Sequence, residues 1–454
     1  MRIRSGTLHA AWIAAVLTAV NACATDHDLT TTPVQGAPDA VHEPGLALDL
    51  TGPGQAIPFV PLPSSSACAP GGNAEQILLP QGYVSTLIAS EGPNFPDLPD
   101  MNTVNETGAR KGRFLYRTHE LNAGGAVTVT DLATGATSIV AQRADWERFD
   151  GIVWTPWGTL LAGEETSPSA LKDPLLPGAV GGHVYEINPI TGAASLRAAV
   201  GARPHEGLRF DRDGNLYGIS ETGPGYIFKF VPDHRNDLSA GQLYALEIVV
   251  DQGDRTGWGQ WVALDRTAVL TNSLTEAAAK GATGWTRPED IEIGTSTGDD
   301  RRGDHILYVA VTGEDKVLAI DLKPAGEMHG RVFVSNYIKD GVNAPADFDF
   351  PDNLALDRSG NLYVTEDPGG SAATGKTAGD DVWFAPFNPA SSAQSLPVQR
   401  FFSITDCDAE PTGIYLSPTG KTLFVNIQHR GGADPRDQSY AIWRLQDAQF
   451  APPR

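Results

Sequence analysis

A chain of 454 residues is long enough for two or three ordinary domains, but 49 glycines and 33 prolines in a composition only 41% hydrophobic point to short strands and turns, not to a helical core. A formal net charge of −22 excludes the basic surface that nucleic acid requires and leaves a carboxylate surplus that suits a cation-binding protein as well as plain solubility. Length does not count domains here, because a β-propeller closes such a chain as one unit.

The first 24 residues read as a signal peptide. Arg2 and Arg4 precede an apolar run over about 10–20, too short to span a membrane. Val20-Asn21-Ala22-Cys23 has the outline of a bacterial lipoprotein box, so cleavage before Cys23 would leave its thiol for lipidation, whereas cleavage after Ala24 would release the chain. Either route is export, to the periplasm or to a tethered lipoprotein. In that oxidising compartment Cys68 and Cys407 pair, or stand as two free buried thiols. Residues 25–74 are rich in Thr, Pro, Ala and Gly without periodicity, which predicts a flexible tether before a propeller over 75–454.

Short strands over 77–79 and 83–89 come first, and a lone N-terminal strand is what closes a propeller against its last blade. A first blade follows over about 101–142. The next begins at Asp150, in Phe149–Glu165 (FDGIVWTPWGTLLAGEE), the cleanest copy of a repeated unit: an acid, an apolar strand, a tight Gly turn and a second strand ending in carboxylates. The unit returns at His205 (HEGLRFDRDGNLYGISE) and Pro351 (PDNLALDRSGNLYVTED), and more loosely at Pro288 and Glu410. An irregular insertion over about 251–285, with a helix around 273–280, is expected to cap one face. The doublet Asp299-Asp300-Arg301-Arg302 reads as a solvated hairpin tip. The expected fold is an all-β propeller, six blades by this count, with five or seven open because the first and fourth copies are degenerate.

Inner propeller strands converge on the central channel, so residues at their starts meet at one mouth. Here those starts carry Asp150, Glu206, Glu289 or Asp290, Asp352 and Glu410, while second strands end in Glu120, Glu164 and Glu165, Glu221, Glu314, Glu366, and Gln428 with His429. Crowded carboxylates repel unless a cation lies between them, and hard ions such as calcium take six to eight oxygen ligands. One such acid would more simply cap its own turn; agreement across five repeats favours a shared metal cluster. The expected ligands are Glu120, Glu164, Glu165, Glu206, Glu289, Asp352, Glu366 and Glu410. Arg287 sits one residue before Pro288, on the same face of an extended segment as Glu289, and is either a fork for phosphate or a neutraliser of the acids. His119, His205 and His429 each stand beside a repeat carboxylate, as ligands, general acids or hydrogen-bond partners. No G-x-S-x-G, H-E-x-x-H or P-loop motif is present.

At these residues the sequence resembles the PhoX-type alkaline phosphatases, exported calcium- and iron-dependent phosphomonoesterases built on a propeller. The marks are HEL at 119–121, TPWGTLLAGEE at 155–165, HEG at 205–207, RPED at 287–290, DN at 352–353, EPTG at 410–413 and VNIQH at 425–429. The resemblance implies metals on Glu120, Glu165, Glu206 and Glu289, phosphate on Arg287, a catalytic role for Arg287 with Glu289, and a monomer acting on a small phosphorylated substrate. Gly163 stands where the family's iron-ligating Cys is expected, which argues against iron while leaving calcium. The competing readings are a calcium-stabilised binding or scaffold propeller and a calcium-only, phytase-like or lactonase-like hydrolase.

Overall fold

The computed structural model describes residues 57–450 except 74, 168–180, 295–304, 324–329 and 369–375. The signal peptide, Cys23, most of the tether and the hairpin tip at Asp299–Arg302 lie outside these residues. The described chain is all-β with one α-helix, in a propeller-like arrangement. Among the described residues no helix is long and apolar enough to cross a membrane.

The repeated unit becomes a four-strand antiparallel meander. In the cleanest copy, Phe149–Trp154 pairs with Leu160–Glu164, which pairs with Val184–Ile187 and then Ala194–Leu196. The hairpin turn TPWGT is tight because the Thr155 N–H donates to the Thr159 carbonyl while the Thr159 N–H donates to the Thr155 hydroxyl, around Gly158, whose φ of 93° a side chain would resist. The first strands of such units, Pro99–Val104, Phe149–Trp154, His205–Phe210, Pro288–Ile293, Pro351–Leu356 and Glu410–Leu416, each lie against the next, and the last returns to the first. This closed ring is what brings the strand starts to one place.

Between neighbouring sheets the apolar sides interlock. Val153, Leu161 and Val184 pack with Leu208, Leu216 and Phe228. Burying a side chain such as Phe228 contributes about 2–3 kcal/mol, so these layers hold the ring closed.

Among the described residues, hydrogen-bonded sheets number five. Gly257–Ala263 pairs with Asp237–Asp251 on one side and Arg331–Lys339 on the other, merging two four-strand units into one nine-stranded sheet. The expected irregular insertion therefore contains a strand. Its helix, Ser273–Ala279, starts where the Asn272 side chain accepts the Thr275 N–H. It packs its buried Ala277 among Val200, Leu243 and Leu264, and its Ser273 N–H donates to the Ala202 carbonyl; none of its residues lines the acidic cavity described below.

At the N-terminus, Tyr83–Ser90 pairs with Gln438–Arg444, the closure expected from the sequence. Order begins earlier than Glu75. Ile57 and Phe59 pack on a core cluster, with the Phe59 ring 4.8 Å from Phe401, and the Cys68 N–H bonds the Thr377 carbonyl. This strap carries no strand periodicity because it is irregular, which is why composition alone made it a tether. Cys68 and Cys407 form a disulfide that fastens it to the loop before Glu410.

Candidate functional site

The site is built by a turn that recurs around the ring. Leu98, Arg148, Arg287 and Phe350 each stand two residues before an inner-strand acid and each holds a left-handed backbone, with φ of 52°, 43°, 48° and 47°. Such a conformation costs a non-Gly residue roughly 1–3 kcal/mol and persists only where the surroundings fix it. Here the fixing bond is visible. Their carbonyls accept the N–H groups of Glu120, Glu165, Thr312 and Asp367 respectively, at 2.8–3.0 Å. Each turn thereby sets an inner-strand acid beside the residue that follows the second strand: Asp100 by Glu120, Asp150 by Glu165, Glu289 by Thr312, and Asp352 by Asp367.

All six inner strands also carry a register shift near the mouth, as between Phe149 and Ile152 and between His205 and Leu208. A bulge of this kind re-aims a side chain. Two glycines let the strands close up there, since a Cβ on Gly151 would strike the Glu206 carbonyl and one on Gly207 the Asp290 carboxylate.

The result is a cavity of about 400 Å³ lined by ten carboxylates against two guanidinium groups, those of Arg148 and Arg287. Of the expected residues it holds Glu120, Glu165, Glu206, Arg287, Glu289, Asp352 and Glu410, with Asp150, Glu221 and His429 from the wider pattern. Three overlapping trios, Asp100–Glu120–Asp150, Asp150–Glu165–Glu206 and Glu206–Glu221–Glu289, each offer one ligand atom per residue with all three atoms within 4.8 Å of one another. Burial, then the neighbouring acids, pushes the carboxyls of Asp100, Asp150, Glu165, Glu206, Asp352 and Glu410 well above their ordinary range; Glu289 is raised likewise, against the pull of Arg287. Asp150 Oδ1 is buried without a hydrogen-bond partner. An orphaned carboxylate oxygen within two such trios fits a hard cation, which needs several oxygen ligands and relieves their repulsion.

Two expected ligands are not in the mouth. Glu164 accepts the N–H groups of Glu147 and His183, and Glu366 accepts the Asp381 N–H and the Trp383 indole, so both tie their own sheets together. Strand alternation turns them away from the neighbours that do face the cavity, Glu165 and Asp367. Glu314 bonds Arg255, Lys316 and the Thr286 N–H instead. His119 and His205 are fully buried and bond the Asp97 and Gly201 carbonyls; burial pushes His119 down to about 3. His429 does line the mouth, with Nε2 3.6 Å from Glu410.

Asp100, Arg148 and Asp367 were missed, although signals existed. Pro99-Asp100 matches Pro351-Asp352, Glu366-Asp367 matches Glu164-Glu165, and Arg148 precedes Asp150 by the interval at which Arg287 precedes Glu289.

Gly163 leaves little room for a side chain. A Cβ there would meet the His205 Cβ at 2.6 Å, and His205 is buried outside the mouth. The described cysteines are tied in the disulfide.

A second cavity, about 600 Å³, opens where the inner strands end and is lined by Trp154, Phe210 and Leu416 around an Arg209–Glu292 ion pair of 3.0 Å. It lacks any cluster of converging acids among the described residues.

Raised carboxyls set the pH dependence of stability. Burial lifts Asp290 to about 6, and Glu292 and Asp437 to about 7, from ordinary values of 3.8, 4.5 and 3.8. The folded state thus keeps protons that the unfolded chain has released, so stability is greatest below the ordinary values and falls as pH rises through the raised ones. Melting of chelator-treated protein should therefore drop in temperature between about pH 4 and 7. Added calcium should flatten that slope by charging the mouth acids productively. A midpoint that rises with pH in chelator would contradict the burial argument.

Fold and site together define an all-β, propeller-like protein whose ring mouth gathers carboxylates suited to metal ions. The chain belongs to the PhoX alkaline phosphatase family, whose model matches residues 152–431. Among solved structures, PhoX of Pseudomonas fluorescens in complex with vanadate, a transition state analogue, superposes with a TM-score of 0.63 at 19% identity, covering 86% of this chain and 99% of that one. This likeness is one of fold. A gluconolactonase from Xanthomonas campestris (TM-score 0.45, 13% identity, 86% of this chain and 97% of that) and a luciferin-regenerating enzyme (0.46, 12%, 80% and 96%) are more distant. No curated protein sequence matches significantly.

Proposed function

We propose that the protein is an exported, metal-dependent phosphomonoesterase acting at the acidic mouth. The observation that carries this reading is the meeting of ten carboxylates and two arginines in one cavity of a PhoX-family chain. We read the ring as six blades, counting the nine-stranded sheet as two units bridged by Gly257–Ala263. Export is supported by the basic and apolar leader and by the disulfide, a bond of oxidising compartments.

Asp100, Glu120, Asp150, Glu165, Glu206, Glu221 and Glu289 are the residues that would hold cations of the calcium class, with Asp352 and Glu410 completing the rim. Bound there, such cations supply Lewis acidity toward phosphoryl oxygens and lower the pKa of water. Among the described residues that line the mouth there is no Cys to give iron a thiolate donor. Arg287 binds the phosphoryl group and stabilises charge that develops on it. Glu289, 2.8 Å from Arg287 Nη2, holds that guanidinium in place. His429, half-exposed at the rim, delivers a proton to the departing alcohol.

One observation favours a second reading, a calcium-stabilised binding propeller without hydrolysis. Arg287 is already engaged by Glu221, Glu289 and Asp367, at 2.7, 2.8 and 3.1 Å. Hydrolysis of p-nitrophenyl phosphate by calcium-loaded protein decides between them: turnover is expected, and its absence after calcium and iron reconstitution would favour the binding propeller.

A further inference from the structure

We infer that Arg148 is a second phosphate-binding guanidinium, standing across Glu206 from Arg287; this rests on the phosphatase reading above. The two arginines occupy equivalent turns, each left-handed and each two residues ahead of an inner-strand acid. Between those turns lies the third inner strand, whose Glu206 shares one trio with Asp150 and Glu165, beside Arg148, and another with Glu289, beside Arg287.

Their donors are used unequally. Arg287 commits Nε and Nη2 to three carboxylates. Arg148 meets Glu165 and, at 3.5 Å, Glu120 through Nη2 alone, so Nε and Nη1 make no bond to protein among the described residues. Its side chain is also the more exposed, 43% against 30%. A guanidinium with Nε and Nη1 unspent at the edge of a cation-binding mouth keeps N–H donors and a permanent positive charge for phosphate oxygens, each nitrogen donating singly because Cδ lies between them. Arg287, with only Nη1 left, presents a single amino group. A phosphomonoester dianion would therefore take single-nitrogen contacts from both arginines, with two donors free on Arg148 against one on Arg287.

The test is calorimetric binding of inorganic phosphate to calcium-loaded protein, with bound calcium counted on the same samples. Arg148→Ala should weaken phosphate binding ~10–100-fold at unchanged calcium content, and Arg148→Lys should recover part of the loss, because an ammonium restores the positive charge but not the guanidinium's fixed donor directions. Arg148→Gln, which retains bulk, serves if the Ala variant loses calcium. Phosphate binding within twofold of the unmodified protein in Arg148→Ala or Arg148→Gln would overturn the proposal. Failure of the unmodified protein to bind phosphate would overturn the phosphatase reading along with it.

Discussion

Glu206→Gln is expected to lower kcat/KM for p-nitrophenyl phosphate by at least ~100-fold, a floor set by what loss of a mere supporting contact costs a metal site. Glu206 is 3% exposed and belongs to two of the three carboxylate trios, so one amide substitution removes a ligand from both at once. No other inner-strand acid except Asp150 is shared in this way. The same variant should fold. Its carboxyl is raised by burial and then by Asp150, Glu289 and Glu165, so a neutral side chain of equal size relieves repulsion when no cation is present. The signature is an inversion: in chelator the variant melts at or above the unmodified protein, whereas in calcium it melts below. A variant that loses activity yet gains as much stability from calcium as the unmodified protein would show that Glu206 is not a ligand.

Arg287→Ala is expected to cost ~10²–10³-fold in kcat/KM, the range found when one preorganised donor to a developing charge is removed. Burial opposes its positive charge, but Glu289, Glu221 and Asp367 more than offset that, so the guanidinium stays ionised at any working pH. Its removal also frees three carboxylates. Calcium affinity of Arg287→Ala should therefore rise while turnover falls, a combination that misfolding does not produce. Hydrolysis that persists at the unmodified rate would end the assignment of this residue to phosphate.

Much of this arrangement was legible because the repeat places like residues at like positions. Glu206, Glu289, Asp352 and Glu410 each begin a recognisable copy, and their agreement, not any one of them, pointed to a common centre. What the repeat could not show is which of two adjacent acids faces inward. Glu164 and Glu165 differ by one position, as do Glu366 and Asp367, and a one-residue step in a strand reverses the side it presents. The inner-strand bulges add a further shift that no alternation pattern reports. Arg148 escaped notice because no proline follows it, although its turn is that of Arg287. The Ile57 and Phe59 strap escaped for another reason: the Phe59 contacts with Phe384 and Phe401 reach strands more than 300 residues away, and sequence spacing carries no trace of them.

Elemental analysis of bound metal, taken with p-nitrophenyl phosphate turnover on one preparation before and after chelation, bears most directly on the claim that these carboxylates enclose catalytic cations. Stoichiometric divalent metal whose removal abolishes turnover, and whose return restores it, is the expected result. A stripped, metal-free protein that still turns over at its original rate would contradict the account.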